Sequence, residues 1–215
     1  MGREKRSLNY LWIIFHSIAV LWFVVAPMEK RGISMEYQWM PIKELIQVVE
    51  ANQQVQEMIP DELARSYPVL VRKNGKYLVA FMFFFKKGMP PDPPQISTPR
   101  YLLLADPVTG EVVSLTRVTP SDFGIDLPES KPLGVHTLGK KMTMDEFLEM
   151  KSQLISLYDE VFGIYRNYEG SVSPEERKVL SNFVRLFDIL VEKPLLPFYK
   201  ALNPEFFSWL KKHCK

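Results

Sequence analysis

The sequence predicts an α+β fold: an N-terminal hydrophobic helix, then a four-stranded, mostly antiparallel sheet packed on a helix, then a three-helix C-terminal part. Three observations predict it. Residues 7–28 contain no Asp, Glu, Lys or Arg. Two pairs of apolar runs flank the turn sequences Asn74-Gly75 and Asp106-Pro107-Val108-Thr109-Gly110. Two capping boxes, Thr143-Met144-Asp145-Glu146 and Ser173-Pro174-Glu175-Glu176, open helical patterns in the last third of the chain.

A bilayer core about 30 Å thick needs roughly 20 apolar residues in a helix. Residues 8–27 reach that length, and a single membrane anchor is the expectation. A cleaved signal peptide fits less well. Arg3, Lys5 and Arg6 give a basic start, but the apolar run exceeds the roughly 7–15 residues of an h-region and its small-residue exit, Val24-Val25-Ala26, meets Pro27. Trp12 and Trp22 stand near the two ends of the run as interfacial aromatics do, and His16 is tolerable inside it as a neutral imidazole. The basic excess ahead of the run places the N-terminus in the cytoplasm. An alternative start lies at Met35, because Lys30-Arg31-Gly32 is encodable by a purine-rich run of the ribosome-binding kind. Residues 1–34 would then not be translated, and the product would be cytoplasmic.

At 215 residues, with 47% hydrophobic and 13% aromatic side chains, the chain has enough apolar material for a sizeable core. Residues 1–34 hold five basic and two acidic side chains, which leaves 22 of the 27 basic and 23 of the 25 acidic residues for the remainder, a net of −1. A nucleic-acid partner is not expected from such a balance, since that contact needs a basic patch or stripe. The lone Cys214 rules out an intramolecular disulfide.

Ile42, Leu45, Ile46 and Val49, at helical spacing behind Pro41, predict a helix over 41–58, and Pro60-Asp61-Glu62-Leu63 a further short helical turn. Pro68 to Lys73 and Lys76 to Phe85 form the first hairpin around Asn74-Gly75. Tyr101 to Ala105 and Glu111 to Thr116 form the second, with Asp106 and Pro107 opening the turn and Gly110 supplying positive φ. Between the hairpins, Gly88 to Pro99 is too rich in proline for helix or central strand. It reads as a stiff exposed loop, with a polyproline II ligand as the functional alternative.

Residues 120–140, with Pro120, Pro128, Pro132 and Gly134, read as an irregular linker. The first capping box then leads a helix carrying Phe147, Met150, Leu154, Leu157, Tyr158 and Val161. The second leads one carrying Val179, Leu180, Phe183, Phe187 and Leu190 that stops at Lys193-Pro194, and a third helix with Phe206, Phe207, Trp209 and Leu210 follows Asn203-Pro204. From Leu78 to Phe85 both alternating faces of the strand are apolar, so the sheet needs cover on both sides. Residues 36–119 are therefore the helix plus antiparallel sheet, and 141–215 a helical part packed on that sheet as one unit.

The helix followed by antiparallel strands, with a last hairpin turning through Asp106-Pro107-Val108-Thr109-Gly110-Glu111-Val112, resembles the PepSY-type modules of bacterial cell-envelope proteins. Such modules often follow a single N-terminal anchor and are linked to protease inhibition or assembly, which the resemblance implies as the setting here. It supplies no site residues. The Pro-rich insertion and the helical C-terminus depart from that pattern.

No catalytic, metal or cofactor site is expected. His16, His136 and His213 are too far apart in sequence for a metal-ligand spacing, and the few glycines are never clustered as a phosphate loop requires. Asp145, Glu146 and Glu149 sit at a helix start, where acids serve the macrodipole and the cap. The expected function is a non-catalytic interaction or ligand-binding protein, held to the membrane through residues 8–27, whose contact surface is the apolar sheet or a sheet–helix groove. Its candidate residues are Tyr77, Phe81, Phe83, Phe85 and Tyr101, and its partner a protein or an apolar ligand. The alternative is a hydrolase or transferase with Asp122, Asp126 and His136 converging in the loops of residues 120–140.

Overall fold

The computed structural model describes residues 38–87, 95–127, 132–135 and 142–214, and the chain from Trp39 onward clusters as one unit. The anchor expected at 8–27, the alternative start at Met35, residues 88–94 of the Pro-rich run and His136 lie outside the described residues. Among the described residues no helix is long and apolar enough to cross a membrane.

The spacing behind Pro41 produces α1 (Ile42–Ala51), which buries Ile42, Leu45, Ile46 and Val49. The single helix expected to residue 58 is broken. Asn52 takes an extended conformation (φ −67°, ψ 127°), and its side chain accepts the Val55 N–H, so it ends α1 and caps a second short helix, α2 (Gln53–Met58). At Pro60–Leu63 a single turn forms, closed by the Leu63 N–H to the Pro60 carbonyl at 3.0 Å, and the chain passes from it directly into a short strand, β1 (Leu63–Arg65).

Strands β2 (Val69–Lys73) and β3 (Lys76–Lys87) are joined as the turn sequence dictates: Asn74 and Gly75 both hold positive φ, 51° and 78°, and Lys73 pairs with Lys76. Then come β4 (Gln95–Ala105), β5 (Val112–Arg117) and β6 (Pro132–Val135). All pairings are antiparallel. Because β1 and β2 share one edge of β3, and β5 and β6 share the outer edge of β4, the 6 strands among the described residues stand in four ranks. The end of the run expected as a stiff loop, Gln95 to Pro99, is strand. Strand β4 already begins at Gln95, and Pro99 is accommodated opposite Phe84 at a register shift, where the ladder is interrupted.

Two serines repair the ladder where it breaks. Ser66, between β1 and β2, donates its N–H to the Met82 carbonyl at 2.8 Å and accepts the Met82 N–H on its hydroxyl at 2.9 Å. Ser97 Oγ accepts the Phe85 N–H at 2.8 Å beside the proline bulge. Gly110, at φ 74°, closes the second hairpin directly against α1: a Cβ there would lie 2.9 Å from Val48 Cγ1.

Both capping boxes form and open α3 (Met144–Arg166) and α4 (Pro174–Leu190). A short helix not read from the sequence, α5 (Leu196–Leu202), follows Lys193-Pro194, and α6 (Pro204–His213) starts at Asn203 as expected. Edge-to-face aromatic pairs knit these helices together: Tyr158 with Phe183 at 4.9 Å, Phe187 with Tyr199 at 5.6 Å and Phe162 with Phe206 at 5.8 Å between ring centres.

The helices are tied to the sheet by side chains that satisfy backbone groups. Tyr199 Oη accepts the Tyr67 N–H at 3.0 Å. Asn203 Nδ2 donates to the Leu70 carbonyl while its Oδ1 accepts the Phe206 N–H, so one residue both blocks the outer edge of β2 and caps α6. Every residue from Leu78 to Phe84 is buried. Helix α1 lies along the face carrying Tyr77, Phe81 and Phe83, marked by Trp39 packed on Tyr77 at 5.8 Å and by Glu50 paired with Arg65, whose guanidinium lies over Phe81.

Candidate functional site

The aromatic residues named from the sequence do not gather into one open patch. Phe81 and Phe83 are interior, at 0% and 4% exposure. Tyr77 is half-buried between Trp39 and the Arg72 guanidinium, and Tyr101 is half-buried as well. Phe85 is 40% exposed and lies under the Arg100 guanidinium.

The loop acids are engaged in, or close to, local structure. Asp122 is exposed, and its carboxylate accepts the Thr119 N–H at 2.7 Å and the Thr119 hydroxyl at 2.8 Å. Those bonds hold its pKa below the usual carboxylate value. Asp126 is exposed, Glu146 closes the α3 capping box, and Glu149 accepts from Gln153 one turn on. No group of three or more His, Cys, Asp or Glu side chains suited to a metal ion occurs among the described residues.

A different set of residues converges. Between α1 and α3 runs a groove of about 410 Å³, lined on one side by Lys43, Ile46, Gln47 and Glu50, on the other by Leu148, Lys151, Ser152, Ile155 and Ser156, with Arg65 of β1 at its floor. Helical spacing builds both walls. Leu148, Lys151 and Ile155 repeat at three and four residues on α3, as do Lys43, Ile46 and Glu50 on α1. Ile46 is buried beneath the groove, whereas Leu148 is 52% exposed on its rim. A second, more polar depression of about 430 Å³ lies between α3 and α4, around Glu149, Gln153 and Asn182.

The charges around the first groove are not evenly matched. Arg65 Nε is bound to Glu50 at 2.9 Å, and Lys86 Nζ to Glu192 Oε1 at 2.6 Å. Lys151 has neither a hydrogen bond nor an ion pair with the described residues. It stands exposed on α3, in the wall of the groove. Lost hydration first, and then the neighbouring Arg65 and Lys86 cations, lower its pKa, while Glu50 and Glu192 partly offset them.

Behind Lys86 the interior is unusually polar. Glu192 is 4% exposed, and its Oε2 finds no hydrogen-bond partner among the described residues. The phenols of Tyr67, Tyr158 and Tyr199 are pushed up, above all by burial, and the Glu192 charge adds to the effect at Tyr67 and Tyr199. The pieces come from α1, β1, β3, α3 and the residue before the Lys193–Leu195 turn. Sequence reasoning placed the two helices and Ile46 but named none of Leu148, Lys151 and Ile155, and no local signal joins Arg65, Lys86, Lys151 and Glu192. Compared with protein-family models, with curated proteins and with solved structures, the chain matches none.

Proposed function

We propose that this is a non-catalytic ligand-binding protein, held at a membrane by residues 8–27, whose contact surface is the groove between α1 and α3. The observation that carries the reading is one concave site of about 410 Å³ that brings the apolar side chains of Ile46, Leu148 and Ile155 together with Lys43 and Lys151, neither of which has an ion pair among the described residues. A few polar groups set in an apolar cleft orient a bound molecule. The charge-free run of residues 7–28 supports the anchor. Against the hydrolase or transferase alternative stands the engagement of Asp122 with Thr119.

The test uses the full chain in lipid nanodiscs and a panel of anionic, cationic and neutral amphiphiles. Binding is followed by the methyl NMR signals of Ile46 and Ile155, and the fate of each ligand by mass spectrometry. Saturable shifts at those methyls, with the ligand recovered unchanged, are expected. A ligand that is converted, with conversion lost in Asp122→Asn or Asp126→Asn, would overturn the reading in favour of the enzyme. Extraction of the full chain by alkaline carbonate would count against the anchor.

A further inference from the structure

Resting on the groove's binding role, the chemistry of its occupant follows from which cations are already committed. Arg65 is held by Glu50 and Lys86 by Glu192. Lys43 stands exposed on the first turn of α1, with no ion pair to the described residues. Lys151 lines the groove beside Leu148 and Ile155 with neither a hydrogen bond nor an ion pair to the described residues, so an incoming negative charge meets it without displacing a partner.

We propose that the groove binds a single-chain amphiphile ending in a carboxylate, with the carboxylate on Lys151 and the chain lying along Ile46, Leu148 and Ile155. The arginine of the groove, Arg65, is committed to Glu50, so the cations left for a ligand are single ammonium groups. A phosphate dianion is best met by several donors or an arginine fork, whereas one ammonium suits a monoanion. Size argues against a protein partner at this place. The groove's lining is well short of the roughly 20–30 residues a side of a stable protein interface, while its volume of about 410 Å³ lies within the small-molecule range.

The experiment titrates octanoate, octanol and octyltrimethylammonium into the full chain in phosphatidylcholine nanodiscs, with empty nanodiscs as the reference for partitioning, and reads the Ile46 and Ile155 methyl signals. Octanoate is expected to bind saturably, at least tenfold more tightly than octanol, with the ammonium compound weakest. Lys151→Met, at a solvent-open helix position, is expected to lower octanoate affinity at least tenfold without altering the ligand-free spectrum; Lys151→Arg is expected to restore most of it, and Lys200→Met, an exposed lysine on α5 outside the groove's lining, to change it less than twofold. Equal affinity for octanol and octanoate, or a Lys151→Met variant that binds octanoate as well as the native chain, would overturn the carboxylate assignment and leave the groove's binding role standing. If no member of either ligand set moves these methyls, both fall.

Discussion

Asp159, in the middle of α3, accepts the backbone N–H of Ile42 at 2.8 Å and so caps α1 from 117 residues away. Pro41, the residue at the N-cap position, offers no side-chain bond of its own. The helix that lines one wall of the groove is therefore held at its start by the helix that lines the other. Arg166, lying 4.4 Å over the Trp39 ring, reinforces the same junction.

Removing this cap by Asp159→Ala should cost about 1 kcal/mol, the usual worth of an N-terminal cap, measured by urea unfolding. Asp159→Asn, which keeps the accepting oxygen, should not. The pH dependence has a definite sign. Burial raises the Asp159 pKa, against the opposing effect of the Ile42 N–H, so the folded state holds its proton to higher pH than the unfolded chain does. Its contribution is present below the unfolded value and lost as pH rises through the folded one. Asp159→Asn should therefore compare more favourably with the native protein at pH 7 than at pH 3. An Asn variant as damaged as the Ala variant would refute the cap.

Ser66 replaces a missing rung of the sheet with its hydroxyl. In Ser66→Ala the Met82 N–H is left buried without a partner, which should cost about 1–3 kcal/mol. Hydrogen exchange locates the effect: the Met82 amide should lose protection more than the amides of the β2–β3 hairpin. Uniform loss across the sheet would mean that the serine does something else.

Lys86 and Glu192 form an ion pair whose side chains are only 22% and 6% exposed. Lys86→Met alone leaves a buried carboxylate without its cation and should destabilise by about 3–5 kcal/mol, whereas Lys86→Met with Glu192→Leu should fall within about 2 kcal/mol of native stability. Chemical denaturation of the two variants decides it. Equal damage in both would show that the site needs charge for a reason other than pairing.

The sequence by itself determined the α+β class, both hairpins, three of the C-terminal helices to within a residue at their starts, and the need for cover on both faces of β3. It could do so because these are local matters: an Asn-Gly turn, a capping box and an alternating or helical apolar pattern act within a few residues. The break at Asn52 was hidden, because the apolar pattern continues through Val55 while the capping side chain turns the backbone. Strands β1 and β6 and the head of β4 were hidden for another reason. Three or four residues, or a run containing Pro99, become strand only when a neighbour supplies the other half of the ladder.

The site was the least legible part. The stripe read on α3, with Phe147, Leu154, Tyr158 and Val161, is the buried one, and Leu148 and Ile155 of the groove face were not read. Tertiary structure alone decided that Arg65 and Lys86 would be neutralised by Glu50 and Glu192 while Lys151 would meet no carboxylate among the described residues, because Coulombic pairing depends on separation in space and on local hydration. Tertiary structure also decided that Phe81 and Phe83, which the sequence offers as a contact surface, are used up in the core, with α1 lying across the face they share.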